Sequence, residues 1–251
     1  MKKRTAIIAL AQMRYFDIKT KHNIDKILRY LKIASKKGAD IVCFPESCVT
    51  KTDVLELDSE AINRIKEGCK KHGIWAIITD DFEVKGRTYN LSLLIDRKGR
   101  VRGGYKKIHL YGDKYTDPGR NISVIKCDFA NIGIAICWDI AYPELFKRMK
   151  EAGCEIVFCP SQWWYDSKAH DKDHNEREMK ILESLILARA FENLLFVAVC
   201  NPVIDSKYQV SYSAIASPTK ILKKIVKKEG LIISKVNLNE LKRLKKVFVE
   251  D

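Results

Sequence analysis

Short apolar runs alternate with helical periods along most of this chain, and that rhythm constrains its fold more than any other feature. Residues 6–11 read as a first strand. Apolar residues at Ile24, Ile27, Leu28, Leu31 and Ala34 then follow a helical period, with Lys36-Lys37-Gly38 as its stop. A strand over 41–44, a helix over 60–72 and a strand over 74–78 continue the pattern. Residues 90–96 and 100–105, joined through Arg97-Lys98-Gly99, read as a hairpin. A polar loop over 111–120 holds Gly112, Pro118 and Gly119 and leads to a strand near 122–125. Beyond the strand that reaches Cys137, the pattern gives a helix near 144–151, a strand at 156–158 and a loop with Trp163, Trp164 and Tyr165. A long helix over about 176–193, strands at 195–199, 211–216 (continuing through Ile225) and 230–236, and a helix near 238–244 complete it. Helices covering stacked sheets accommodate this order, an α/β architecture.

One stretch carries the chemistry: Asn131-Ile-Gly-Ile-Ala-Ile-Cys137-Trp-Asp-Ile-Ala-Tyr-Pro143-Glu-Leu. The apolar run reads as a buried strand, Pro143 as the first turn of a helix, and Cys137 as the residue where the strand gives out. At the carboxyl end of a strand, beside the positive end of a helix, a thiolate is favoured over a thiol, and the thiolate is the nucleophile. Such a nucleophile needs a base for its proton and a donor for the oxyanion. Glu46, in Ile41-Val-Cys-Phe-Pro-Glu46, and Lys107, in Tyr105-Lys-Lys107-Ile-His-Leu, are the candidates. Lys106 competes with Lys107, because adjacent strand residues face opposite ways and only one of them points into a site.

Phe44-Pro-Glu46, Tyr105-Lys-Lys107-Ile-His-Leu110 and Gly133-Ile-Ala-Ile-Cys137-Trp-Asp-Ile-Ala-Tyr-Pro143-Glu-Leu closely resemble, in that order, three signature motifs of the nitrilase superfamily of carbon-nitrogen hydrolases. Leu187-Ala-Arg-Ala-Phe-Glu-Asn193 is similar to that family's downstream helix motif. The resemblance runs from about Thr5 to about Val247. It implies one domain over residues 1–251, folded as a four-layer α-β-β-α sandwich, pairing with a second copy through helices near Cys137 and Arg189 as a homodimer or higher homo-oligomer. It makes Glu46, Lys107 and Cys137 the catalytic residues, chooses Lys107 over Lys106, and adds the backbone N–H of Trp138 to the oxyanion site. Many relatives carry a further glutamate in the loop after the lysine. That loop is shortened here and holds Asp113 as the nearest equivalent, with Asp117 second. Ala141 stands where many relatives place an arginine or other large polar residue, and Trp163 and Trp164 lie where relatives build part of the substrate pocket.

The implied activity is hydrolysis of a small linear amide through a Cys137 thioester, releasing ammonia without a cofactor. Cleavage of an N-carbamoyl compound or a nitrile is the nearest alternative, with Asp139 counting against a true nitrilase. A non-enzymatic alternative is a basic protein on the same scaffold that binds nucleic acid or a partner. The net charge of +14 concentrates late, at Lys220, Lys223, Lys224, Lys227 and Lys228 and again at Lys242, Arg243, Lys245 and Lys246. These clusters lack interleaved aromatics for base stacking, so a solvated surface is expected and nucleic acid is not. The lysine excess also makes an anionic substrate tolerable.

Hydrophobic residues make up 46% of the chain and charged residues 31%, a globular and ordered balance. Met1-Lys-Lys-Arg4 before the first apolar run imitates a signal peptide, but the run is too short and no cleavage region follows. No stretch suits a membrane span, so a cytoplasmic location with reduced cysteines is expected. Cys43 with Cys48, Cys154 with Cys159, and His170 with His174 lack the Cys-x-x-Cys spacing of a structural zinc site. Cys43 and Cys159 read as core, His170 and His174 as a solvated loop, and no metal is expected.

Overall fold

The computed structural model describes residues 4–16 and 22–248; Met1 to Lys3, the basic start of the signal-like stretch, lie outside them. The first half runs β1 (Thr5–Gln12), α1 (Ile24–Lys36), β2 (Ile41–Cys43), α2 (Glu60–His72), β3 (Trp75–Val84), β4 (Arg87–Ile95), β5 (Val101–Lys106), β6 (Val124–Lys126) and β7 (Asn131–Ile134). The second runs α3 (Pro143–Glu151), β8 (Ile156–Pro160), α4 (His174–Asn193), β9 (Phe196–Cys200), β10 (Tyr212–Ser217), β11 (Lys220–Val226), β12 (Gly230–Asn237) and α5 (Asn239–Phe248).

The strands form two six-stranded sheets, ordered β12-β1-β2-β3-β4-β5 and β11-β10-β9-β8-β7-β6. Within each, the three central strands are parallel: β1, β2 and β3 in the first, β7, β8 and β9 in the second. The fully buried, apolar character of β2, β8 and β9 suits a sheet covered on both faces. The inner faces meet directly. Cys200 Sγ on β9 donates to the carbonyls of Ala11 (3.5 Å) and Cys43 (3.4 Å), and Leu10, Cys43 and Ile77 share a core with Ile134, Cys159 and Ala198. On the outer face of the first sheet, Ala9, Val42 and Ile78 pack with Ile27 and Leu31 of α1 and Ile62 and Ile65 of α2. Phe146 of α3 and Leu182 and Ile186 of α4 cover the second sheet. The result is the expected α-β-β-α order.

Two local features differ from the sequence reading. The strand expected to end at Ile78 continues to Val84 and turns back through Lys85 (φ 56) and Gly86 (φ 72) into β4, well before residue 90. Its polar tail, Thr79-Asp80-Asp81-Phe82-Glu83, reads as loop. Yet Asp80 is buried, accepting the N–H groups of Val49 (2.7 Å) and Thr50 (3.2 Å) that follow Glu46. Beyond β7, a 3-10 turn over Cys137–Ala141, absent from the sequence reading, comes before α3, which starts at Pro143 as expected.

Candidate active site

Glu46 stands three residues beyond β2, only 5% exposed. Its Oε1 accepts Lys107 Nζ at 2.7 Å and Asn90 Nδ2 at 3.1 Å, and its Oε2 accepts the backbone N–H of Gln162 at 3.0 Å. Burial of a carboxylate is tolerable only with such partners. Lys107 follows β5 and is held at both ends of its peptide: its N–H donates to the Asn90 carbonyl (2.9 Å), and its carbonyl accepts the Gly119 N–H (2.7 Å). A Cβ at Gly119 would lie 2.1 Å from the Lys106 carbonyl oxygen, so only glycine lets the loop return this closely. Lys106 points the other way, its ammonium 3.2 Å from the centre of the Tyr89 ring. Strand alternation thus separates the two lysines, and Lys107 is the one inside.

Cys137 sits at φ +48°, a left-handed conformation costly for a side chain with a Cβ, and is 6% exposed. Burial pushes its thiol well above the ordinary range. The Glu46 carboxylate adds to this, while the Lys107 ammonium and the Gln162 backbone oppose it. This corrects the expectation of a resting thiolate: α3 begins only at Pro143, six residues beyond the cysteine, and desolvation outweighs the nearby cation. For Lys107, burial works toward a lower value, but Glu46 and then the Cys137 sulfur overcome it and hold the ammonium above its ordinary range. The arrangement is a neutral thiol beside a carboxylate that can accept its proton, with a fixed positive charge within reach of both.

Sequence reasoning missed the tie that sets this geometry. Asp139, fully buried, accepts from Tyr105 OH (2.8 Å) and the Ile136 N–H (3.0 Å) on one oxygen, and from the N–H (2.9 Å) and Nδ1 (2.8 Å) of His109 on the other. The lysine motif and the cysteine motif are therefore bolted together by one carboxylate. Arg189 of α4 adds a second anchor, donating to the carbonyls of Ile140 (2.9 Å) and Ala141 (3.2 Å) in the 3-10 turn. The first bond of that turn, Asp139 N–H to the Ile136 carbonyl at 3.0 Å, leaves the Trp138 N–H outside the turn's own ladder.

The Trp138 ring lies 4.9 Å from Tyr111 and 5.6 Å from Trp163, so Trp163 joins an aromatic cluster next to the residue after Cys137; its Nε1 donates to Glu178 at 2.7 Å. Trp164 turns outward at 40% exposed and pairs with Gln209 in an isolated bridge. Asp113 accepts the Tyr115 N–H (2.9 Å) and the Thr116 hydroxyl, and its charge acts on Asp81 of β3. Asp117 instead pairs with Arg87 (3.0 Å). Among the described residues no group of three or more His, Cys, Asp and Glu could hold a metal ion. His170, expected in a solvated loop, is largely covered and bonds Glu178 Oε2 at 2.7 Å.

Residues 7–246 match the family model described as carbon-nitrogen hydrolase. The chain is 28% identical over 245 residues to the 2-oxoglutaramate amidase of Bacillus subtilis (strain 168), covering 90% of this chain and 89% of that one. The fold is similar to that of a carbon-nitrogen hydrolase from Helicobacter pylori G27, with a TM-score of 0.86 at 19% identity over 98% of this chain and 94% of that one. It is also similar to an amidase from Nesterenkonia sp., with a TM-score of 0.80 at 20% identity over 99% and 98%. With the motifs, the layered fold and a match over nearly its whole length, the chain belongs to the carbon-nitrogen hydrolase family.

Proposed function

We propose that the chain works as one cofactor-independent thiol amidase on a small linear amide. Glu46 takes the Cys137 proton as sulfur bonds the carbonyl carbon, and the carbonyl electrons move to oxygen. The Lys107 ammonium and the Trp138 N–H hold that oxyanion. When the tetrahedral centre collapses, the C–N bond breaks and Glu46 returns the proton to nitrogen, releasing ammonia. Glu46 then takes a proton from water as the hydroxide adds to the thioester; C–S cleavage frees the acid and the proton goes back to sulfur. Asp113 supplies the further carboxylate beside the site, and Trp163 walls the pocket. Eight free thiols suit a cytoplasmic enzyme, and a second copy packs against α3 and α4.

The observation that carries this reading is the buried contact of Glu46 with Lys107 at 2.7 Å, in electrostatic reach of Cys137. The test is ammonia release from a panel of amides, with mass spectrometry for an acyl adduct on Cys137. Release abolished in Cys137→Ala, with an adduct trapped in the parent chain, is expected. Release that persists undiminished in Cys137→Ala overturns the assignment.

A further inference from the structure

Where β8 ends, the chain runs through Ser161, Gln162 and Trp163 alongside the proposed base. The Glu46 N–H donates to the Ser161 carbonyl at 3.3 Å, and the Gln162 N–H donates back to Glu46 Oε2 at 3.0 Å. The Gln162 backbone also acts on the Cys137 thiol, opposing the rise that burial and Glu46 impose. One backbone segment therefore meets both the base and the nucleophile. Its next residue, Trp163, meets the third part of the site: its ring lies 5.6 Å from that of Trp138, whose N–H is the proposed oxyanion donor.

Trp163 is buried and held at three points. Its N–H donates to Asn201 Oδ1 at 2.9 Å and its carbonyl accepts the Val210 N–H at 3.0 Å, which fixes the backbone but not the side-chain torsions. The third tie fixes those: indole Nε1 donates to Glu178 Oε1 at 2.7 Å. Glu178 lies near the start of α4, is itself buried, and bonds His170 Nε2 through Oε2 at 2.7 Å. Packing alone does not call for a glutamate here, since taking a carboxylate out of water is costly and an apolar side chain would fill the space. What the carboxylate adds is a short hydrogen bond of fixed direction, about twice as strong as a neutral one. Both of its partners belong to the segment between β8 and α4, so the helix grips that segment at Trp163 and again at His170.

We propose that Glu178 is a positioning residue for the hydrolysis: by fixing the Trp163 indole it keeps the Gln162 N–H on Glu46 and the Trp138 ring in place, without touching substrate. The inference rests on the amidase reading and gives a role to a side chain outside all the motifs. Released from Glu178, the indole N–H stands unpaired in a dry interior, and the ring turns toward another acceptor. That turn disturbs the neighbours on both sides, the donor to the base and the ring of the oxyanion residue. A displacement of about 1 Å in such a constellation is worth up to about 10²-fold in rate.

The test sets Glu178→Leu against Glu178→Gln. Glutamine fills the same space and keeps an oxygen for the indole N–H, whereas leucine keeps the bulk and removes the acceptor. With valeramide as substrate, kcat should fall by about tenfold or more in Glu178→Leu and stay within about threefold of the parent in Glu178→Gln. Iodoacetamide alkylation of Cys137, followed on its own peptide by mass spectrometry, reads the same tie without turnover. Its pH midpoint should rise in Glu178→Leu, where the Gln162 backbone no longer opposes the upward push on the thiol, and stay at the parent value in Glu178→Gln. Glu46, Lys107 and Cys159, the other groups acting on that thiol, are unchanged in both variants. Trp163→Phe breaks the bond from its other end, and in that background Glu178→Leu should add little further loss. If Glu178→Leu does not fold, Trp163→Phe decides: a lowered kcat with a raised midpoint supports the tie, and parental values overturn it. A parental kcat or an unmoved midpoint in Glu178→Leu overturns the proposal, as does a glutamine variant no better than the leucine one. Should the parent chain turn over no amide, the amidase reading falls by itself and the alkylation midpoints alone decide for or against Glu178.

Discussion

Opposed fields act on the sulfur of Cys137. The buried Glu46 carboxylate makes loss of its proton harder and the Lys107 ammonium makes it easier, on top of a desolvation that favours the thiol. Glu46→Gln keeps the shape of the contact and removes the charge. Two effects of opposite appearance should follow. Amide turnover should fall by about 10²–10⁴, the contribution of a positioned base. The pH midpoint for alkylation of Cys137 by iodoacetamide should move down, because the charge that raised the thiol is gone and Lys107 remains. A midpoint that rises would mean that Glu46 is not the group holding the thiol neutral. Removing the cation is the harsher change. Lys107→Met leaves a buried carboxylate uncompensated, an effect of about 3–5 kcal/mol in urea denaturation.

Between elements, carboxylates do the joining. Asp139 ties the residues before and after Lys107 to the turn that starts at Cys137. Asp139→Ala strands four donors, from Tyr105, Ile136 and twice from His109, at about 1–3 kcal/mol for each buried group left unpaired. The expected result is a loss of about 3 kcal/mol or more in urea denaturation together with a fall in kcat; a stable variant of full activity would show the tie to be dispensable. Asp80 makes a pH-dependent joint. Burial pushes its carboxyl up to about 7, against three backbone N–H donors, from Val49, Thr50 and Asp81. A folded-state value above the unfolded one means that the native chain holds the proton more tightly. The stability it contributes is full below about pH 4 and is lost as pH rises toward 7, by up to about 4 kcal/mol. Stability of the parent chain should therefore drop relative to Asp80→Asn between pH 5 and 7.5. These joints also mark what the sequence could disclose. Glu46 and Cys137 each follow an apolar run and Lys107 leaves the second strand of a hairpin, so their places at strand ends were legible. The length of the β3–β4 hairpin was not, because the charges of Asp80 and Asp81 break the apolar pattern and only tertiary partners explain them. Asp139 was read only as a family marker, since its partners Tyr105 and His109 lie some thirty residues away.

At the scale of the whole molecule, α4 and its surroundings carry exposed apolar side chains. Ile181 and Phe191 of α4 and Tyr142 just before α3 are 45%, 52% and 39% exposed, and Phe191 stacks edge-on with Phe248 of α5 at 5.7 Å. Exposed apolar side chains of this kind fit burial against the proposed second copy. Arg189, on the same helix as Phe191, anchors the turn carrying Cys137, so pairing over α4 would stiffen that turn as well as cover these side chains. Phe191→Glu should therefore convert the proposed dimer of 28.9 kDa chains into monomers in sedimentation and lower kcat/KM. Salt separates this assembly from the nucleic-acid alternative by sign. Two copies at +14 repel, and added salt screens that repulsion, so dimerisation should tighten as ionic strength rises. Binding of a polyanion works through counterion release and should weaken steeply over the same range. Sedimentation at 50 and at about 300 mM salt reads the first, and fluorescence anisotropy of a labelled oligonucleotide reads the second. A dimer that loosens with salt, alongside tight and salt-sensitive oligonucleotide binding, would move the basic surface from solvated coat to binding site and take the apolar face out of the argument for pairing.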